Sequence, residues 1–422
     1  MSGGQKAYSL LLLNQKRFRE AEESLRQVLA QDPQDALAHA LLSSALSGQD
    51  KYVEALSEAQ QAIRLAPNVA HSHYTLALAL IGAKRLDEAV RATQEALRLD
   101  PVDPEYYYLL SLIHLQKADL LRALDAAEQG LRHDPQHEGC NNTRAMVLIR
   151  LGREKEAGKT LASTLARNPE NAMTHANQGM ALLQAAQPEQ AMQHFREALR
   201  LDPNLKWARR GIIVAMKARN PIYMIILNYI FWMSRLKPAQ QWMVVVGLFF
   251  LGQFTLRTAR SNPELAPVLY PFLALYMIFA MMTWIADDLF NLVLRLDRFG
   301  RQVLFREQIV ATNGLAVCLL VAPLLAGAGL LSSGDQREAL LIAAAQSLAM
   351  LMPVAGVFKA KTSEDRGILI LYAAGLVVLI LVDLLLALSG QQGRQALGMF
   401  VLGWVGYTWI GNYLIGRRQS PD

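Results

Sequence analysis

Cysteine is nearly absent from this 422-residue chain: Cys140 and Cys318 are the only two, and neither belongs to a CxxC pair. That excludes a disulfide framework and leaves both thiols as small core fillers. Sequence motifs that carry chemistry are also missing. No GxxxxGKS/T phosphate loop, HExxH zinc helix or GxSxG nucleophile elbow occurs. No secretory leader is read at the start, because the apolar run 10–13 is too short and has no basic flank, so the first half is expected to fold in the cytoplasm. Basic residues never alternate with aromatics on one face, as nucleic-acid binding would require. Histidine is missing from the second half; all eight lie in the first. His133 and His137 are four apart, but Pro135 between them breaks a shared helix face, so they make a poor metal pair. No cofactor, metal or catalytic group is expected.

Charge is the last scarcity, and it divides the chain. Residues 1–220 hold 27 Lys and Arg against 25 Asp and Glu; the remainder holds 15 against 11. The first half is thus a mixed-charge soluble region and the second an apolar one. The high isoelectric point, near 9.2, comes partly from basic residues flanking apolar runs.

What is present is a ladder. Pro33, Pro67, Pro101, Pro135, Pro169 and Pro203 are each 34 residues apart, and four of them follow Asp. Proline restricts the residue before it, so each step should end a helix. Ala21, Ala55, Ala89, Ala123, Ala157 and Ala191 run in phase, where small side chains let two helices approach. A 34-residue helix–turn–helix period resembles the tetratricopeptide family. Leu42-Ser43, Leu76-Ala77 and Leu110-Ser111 match its apolar–small pair, with Arg144-Ala145 and Gln178-Gly179 as poorer copies. Its early tryptophan is replaced by Gln5, His39, His73, Tyr107, Asn141 and His175. The resemblance implies six repeats over residues 1–205, stacked as a solenoid that needs a polar cap, and 206–219 reads as that capping helix.

After Asn220-Pro221 comes an apolar stretch, 222–236, with Tyr223, Tyr229 and Trp232. Its helix would reach about 22 Å, short of the roughly 30 Å hydrocarbon core, so 220–237 reads as an interfacial or half-inserted helix and linker. Six longer runs follow within 238–416: about 239–256, 265–287, 308–331, 338–358, 367–388 and 396–415, with a basic tail at 417–422. The expected fold class is therefore all-α, a six-repeat solenoid with its cap, followed by a six-helix transmembrane bundle. One set of loops carries Lys217, Arg219, Arg235, Lys237, Arg295, Arg298, Arg301, Arg306, Lys359, Lys361, Arg366, Arg417 and Arg418; the alternate set carries Arg257, Arg260, Arg337 and Arg394. That asymmetry assigns both termini to the cytoplasm. The layout and the Asn220-Pro221 junction resemble bacterial tetratricopeptide membrane proteins, which implies a bacterial inner membrane.

In the family's terms, a concave groove is lined by His71, Tyr74, Leu78, Tyr108, Leu112, Asn142, Met146, Arg150, Met180 and Leu183. An apolar, aromatic surface of that kind suits an amphipathic helix or a peptide with apolar anchors. It lacks the clustered Lys and Arg of a carboxylate clamp, and some of its members could instead pack between repeats. In the membrane half, ionisable groups are costly and often functional. Asp383 lies inside the fifth run, with Gln346 or Asn412 as hydrogen-bonding neighbours, and Asp287 and Asp288 close the second at the cytoplasmic side, ahead of an amphipathic extension over 289–305. Three functions follow: a membrane-anchored scaffold for protein partners, a transporter or channel regulated by the array, and a membrane enzyme with an acidic site near Asp287. The first rests on the most specific pattern. Lipid contact is expected, no enzyme activity is favoured, and homo-oligomerisation stays open.

Overall fold

The computed structural model describes residues 2–236, 238–296, 298–360, 362–389 and 394–416, and every regular element among them is a helix. By internal contacts the chain divides into two units. The first comprises residues 1–185 and 193–208; the second comprises 186–192 and 209–419. The boundary read at Asn220-Pro221 therefore falls inside the second unit.

Helices pair along the first half: α1 (Ser2–Asn14) with α2 (Phe18–Gln31), α3 (Ala36–Ser47) with α4 (Tyr52–Leu65), and α5 (Ala70–Gly82) with α6 (Leu86–Leu99). Next come α7 (Pro104–Gln116) with α8 (Leu120–His133), α9 (Glu138–Arg150) with α10 (Glu154–Arg167), and α11 (Ala172–Gln184) with α12 (Pro188–Leu201). The proline ladder acts through the residue before it. Asp32, Ala66, Asp100, Asp134 and Asn168 take φ between −131° and −140° and ψ between 76° and 98°, outside the helical region, so the helix stops there. Aspartate suits this place because its carboxylate accepts the N–H of the residue after the proline, as in Asp32 to Gln34 (3.1 Å) and Asp134 to Gln136 (2.8 Å). The proline carbonyl is used too. His39, His73, Tyr107, Asn141 and His175 each lie 2.9–3.1 Å from the carbonyl oxygen of the proline six residues earlier. The residues standing where the family has tryptophan thus tie each first helix to the preceding turn. All six ladder alanines are fully buried, at 0% exposure.

A third ladder escapes sequence reading. Lys16, Asp50, Lys84, Ala118, Gly152 and Ala186 all have φ between +57° and +75°, one per repeat, in the turn between paired helices. A side chain there costs roughly 1–2 kcal/mol, and only Gly152 avoids it. Gly152→Ala is expected to lower the unfolding free energy of the array by about 1 kcal/mol. Ala118→Gly reverses both contributions and should raise the unfolding free energy by about 0.5–1 kcal/mol, since relieved strain outweighs glycine's larger unfolded-state entropy. Denaturant unfolding checks both, and an equal response to the two changes would contradict the ladder's role.

The second unit takes up α13 (Lys206–Ala218) from Arg209 onward, followed by α14 (Pro221–Arg235), whose Tyr223, Ile226 and Leu227 are buried while Ile222, Ile225 and Trp232 are exposed. Then come α15 (Pro238–Ser261), α16 (Ala266–Leu294), α17 (Arg298–Val303), α18 (Arg306–Leu331), α19 (Gly334–Ala349), α20 (Leu351–Val357), α21 (Ser363–Leu388) and α22 (Arg394–Gly416). Five helices among the described residues are long and apolar enough to cross a membrane, over Ala239–Ser261, Ala266–Leu294, Arg306–Leu331, Gly334–Val357 and Ser363–Leu386. Six were expected. The sixth run does form α22, but its glycines, tyrosines, tryptophans and Asn412 dilute its apolarity. The fourth span breaks between α19 and α20 because Pro353 has no N–H to give the Ala349 carbonyl. The Trp404 indole of α22 takes that carbonyl instead (2.8 Å), and the Tyr407 hydroxyl takes the Pro353 carbonyl (2.9 Å). The second span also outruns its expected end: α16 continues through Asp287 and Asp288 to Leu294, and the short α17 follows in place of one amphipathic extension.

Candidate functional site

In the first unit, three consecutive first helices bring one aromatic group together. His71 and Tyr74 on α5 stack with ring centroids 5.7 Å apart, and Tyr74 meets Tyr106 of α7 at 5.6 Å. Tyr108 of α7 lies 5.9 Å from His137, the residue that opens α9. The centre of the group is Glu105. One of its oxygens accepts the Tyr74 hydroxyl at 3.0 Å and the other lies 3.2 Å from Nε2 of His137. The hydrogen bond from His137 holds the Glu105 carboxyl below the usual carboxylate range, with burial opposing and Tyr74 helping. The same bond raises His137. Burial pushes the Tyr74 hydroxyl up, with Glu105 adding, and pulls His71 down. His137 also accepts the Cys140 N–H on Nδ1 at 3.2 Å, which places its ring proton on Nε2, toward Glu105. Gly139 leaves room for this arrangement: a Cβ there would sit 2.9 Å from the Tyr108 ring.

The remaining groove positions are less uniform. Leu78, Leu112, Met146 and Met180 are half-buried, and Leu78, Met146 and Met180 pack on the core beneath. Arg150 is exposed. Leu183 is wholly enclosed at 0% exposure and is a core residue. Asn142 is buried as well, its side-chain oxygen accepting Nδ2 of Asn177 at 3.1 Å. Glu105 and His137 were missed from the sequence. Their signal was the register: Glu105 occupies the repeat position of His71, and His137 that of the helix-opening Asp35, Asp103 and Asn171.

The second unit holds two polar groups. Gln346 of α19 donates from Nε2 to Asp383 of α21 at 3.2 Å, both buried, and the Gln346 side-chain oxygen has no partner among the described residues. The side chain of Asn412 lies outside the described residues. Asp287 and Asp288 face different ways, as neighbours on a helix must. Asp287 accepts Lys217 of α13 and the Tyr223 hydroxyl (3.1 Å). Asp288 is 6% exposed, and its Oδ2 and both polar atoms of Asn291 have no partner among the described residues. Lys359 donates to the Trp284 carbonyl, and burial lowers its ammonium, with Asp288 and Asp287 opposing.

Comparison with known proteins agrees with the repeat geometry. Tetratricopeptide-repeat family models match residues 9–70, 46–113 and 172–205. Comparison with curated protein sequences finds no match. Among solved structures, the chain is similar to YrrB, described as a TPR protein with an unusual peptide-binding site. That match is 18% identical, covers 45% of this chain and 98% of that one, and has a TM-score of 0.34. It is also similar to PilF of Pseudomonas aeruginosa (21% identical, 50% and 95% covered, TM-score 0.41) and to MamA (15% identical, 38% and 95% covered, TM-score 0.33). Residues 9–113 and 172–205 thus carry tetratricopeptide repeats, and a set of long apolar helices follows them along the chain.

Proposed function

We propose that the chain is a membrane-anchored scaffold whose array docks a protein partner at the cytoplasmic face of a bacterial inner membrane. The observation that carries the docking reading is the aromatic group of His71, Tyr74 and Tyr108 around Glu105. Aromatic side chains held by ring contacts, and for Tyr74 also by a hydrogen bond, lose little entropy when they bind, which favours them as anchor points. The surface suits an amphipathic helix or an extended peptide with apolar anchors, and Glu105 would favour a segment that also offers a hydrogen-bond donor or a cation. The membrane reading is supported by the five long apolar helices and by exposed Trp242, Phe249, Phe250 and Phe254 on α15. The cytoplasmic orientation is supported by the Lys and Arg imbalance between alternate loops.

The test is affinity purification of the full chain from gently solubilised membranes, parent against Tyr74→Ala/Tyr108→Ala. Co-purifying protein should fall more than about tenfold in the variant, the size expected for removing two anchors. An unchanged set of bound proteins, in a variant whose thermal unfolding is close to the parent's, would sink the docking reading.

A further inference from the structure

The second unit contains a cavity of about 540 Å³, lined by Arg210, Ile213, Val214 and Lys217 of α13, by Asp287 of α16, and by Phe305 and the first residues of α18. Most charges around it are already committed. Lys217 holds Asp287. Glu307 lies 3.5 Å from Arg366. Arg209, next to the cavity, donates from Nε to the Val303 carbonyl at 3.0 Å and lies 4.5 Å over the Phe305 ring, which fixes α13 to the α17–α18 turn. Two guanidiniums remain. Arg210 of α13 and Arg306 of α18 both line the cavity, and neither has an ion partner among the described residues.

We propose that this cavity binds a phosphate group, and that the source of the phosphate is an anionic lipid headgroup. Two uncommitted guanidiniums facing one space form the fork-shaped donor set that phosphate oxygens accept. The position favours the lipid over a free ion. Arg306 is the first residue of a 26-residue apolar span, where the hydrocarbon gives way to headgroups. Ile213, Val214 and Phe305 supply apolar wall that inorganic phosphate would not use and that the glycerol end of a lipid would. The neighbouring α14 exposes Ile222, Ile225 and Trp232, a face that suits the same interface. The proposal rests on the membrane reading above and is independent of the docking reading.

The test uses the purified full chain, stripped of lipid in neutral detergent and titrated with phosphatidylglycerol or phosphatidylcholine, with bound lipid read by native mass spectrometry. Phosphatidylglycerol should be retained in preference to phosphatidylcholine, and millimolar inorganic phosphate should not displace it. Arg210→Gln/Arg306→Gln should bind phosphatidylglycerol more than about tenfold more weakly, since each cation near a headgroup is worth about a fivefold factor. Arg257→Gln/Arg260→Gln removes the same charge from the far end of α15 and should stay within about twofold of the parent. Arg306→Lys keeps the charge but loses the fork, so a loss of about fivefold or less is expected from a variant whose folding is undisturbed. Equal weakening in both double variants, no preference between the two lipids, or displacement by inorganic phosphate would each overturn the assignment. Fractionation separates the two readings. A chain absent from membranes defeats the anchor, whereas a membrane-bound chain without headgroup preference defeats only this site.

Discussion

Asp287→Ala is expected to destabilise the second unit by about 3 kcal/mol, seen as an earlier thermal transition of the full chain in detergent. The reason lies in Lys217. Its side chain is 1% exposed, while the Asp287 carboxylate that holds it is 53% exposed. Removing the carboxylate leaves a buried ammonium whose remaining contacts among the described residues are the Asp287 main-chain carbonyl (3.2 Å) and the Tyr223 ring, 5.5 Å away, with the Asp288 carboxylate acting on it only through space. Neither contact carries a compensating charge, and a buried cation without a directly bonded carboxylate is far costlier than a missing pair. The double variant Lys217→Met/Asp287→Ala should therefore recover most of the loss, because methionine fills the same channel without charge. A double variant no more stable than Asp287→Ala alone would show that the carboxylate acts through something other than Lys217.

That pair illustrates what was legible beforehand. Asp287 and Asp288 stood out because acids are rare in apolar runs, yet nothing in sequence joined them to Lys217, 70 residues earlier, on a helix read as a solvating cap. The basic and apolar composition of α13 fits a cap and a packing surface equally well. Its burial in the second unit follows from partners that lie far along the chain, such as Asp287 and the Val303 carbonyl. The repeat half was read more fully because its determinants are local and recur every 34 residues: proline stops a helix, and alanine permits an approach, wherever each appears. Even there, what depended on register across repeats was lost. Glu105 is an ordinary acid until α5, α7 and α9 stack, and then it bonds Tyr74 and His137 at once. Similarly, the positive-φ ladder could not be seen through Lys16, Asp50, Lys84 and Ala118, which give no glycine signal. Leu183 failed as a groove residue for the converse reason, since a leucine on a first helix serves groove and core alike and only packing decides.

The sixth repeat supplies the largest expected effect in the array. Phe195 of α12 is fully buried, and it lies against Gly179 of α11, where a Cβ would meet the ring at 2.9 Å. One repeat earlier the same two positions hold Leu161 and Ala145, also fully buried, so a smaller ring-side residue accompanies a larger partner. Phe195→Ala should cost about 3–5 kcal/mol through the cavity it leaves. Gly179→Ala alone should cost about 1–3 kcal/mol by crowding the ring, and Phe195→Leu alone about 1 kcal/mol. Combined, Gly179→Ala/Phe195→Leu reproduces the fifth repeat's pairing and should come within about 1 kcal/mol of the parent, a coupling that independent sites would not show. Denaturant unfolding of the four variants decides the matter. Simple additivity of the two single losses would mean that the glycine is not there to make room for the ring.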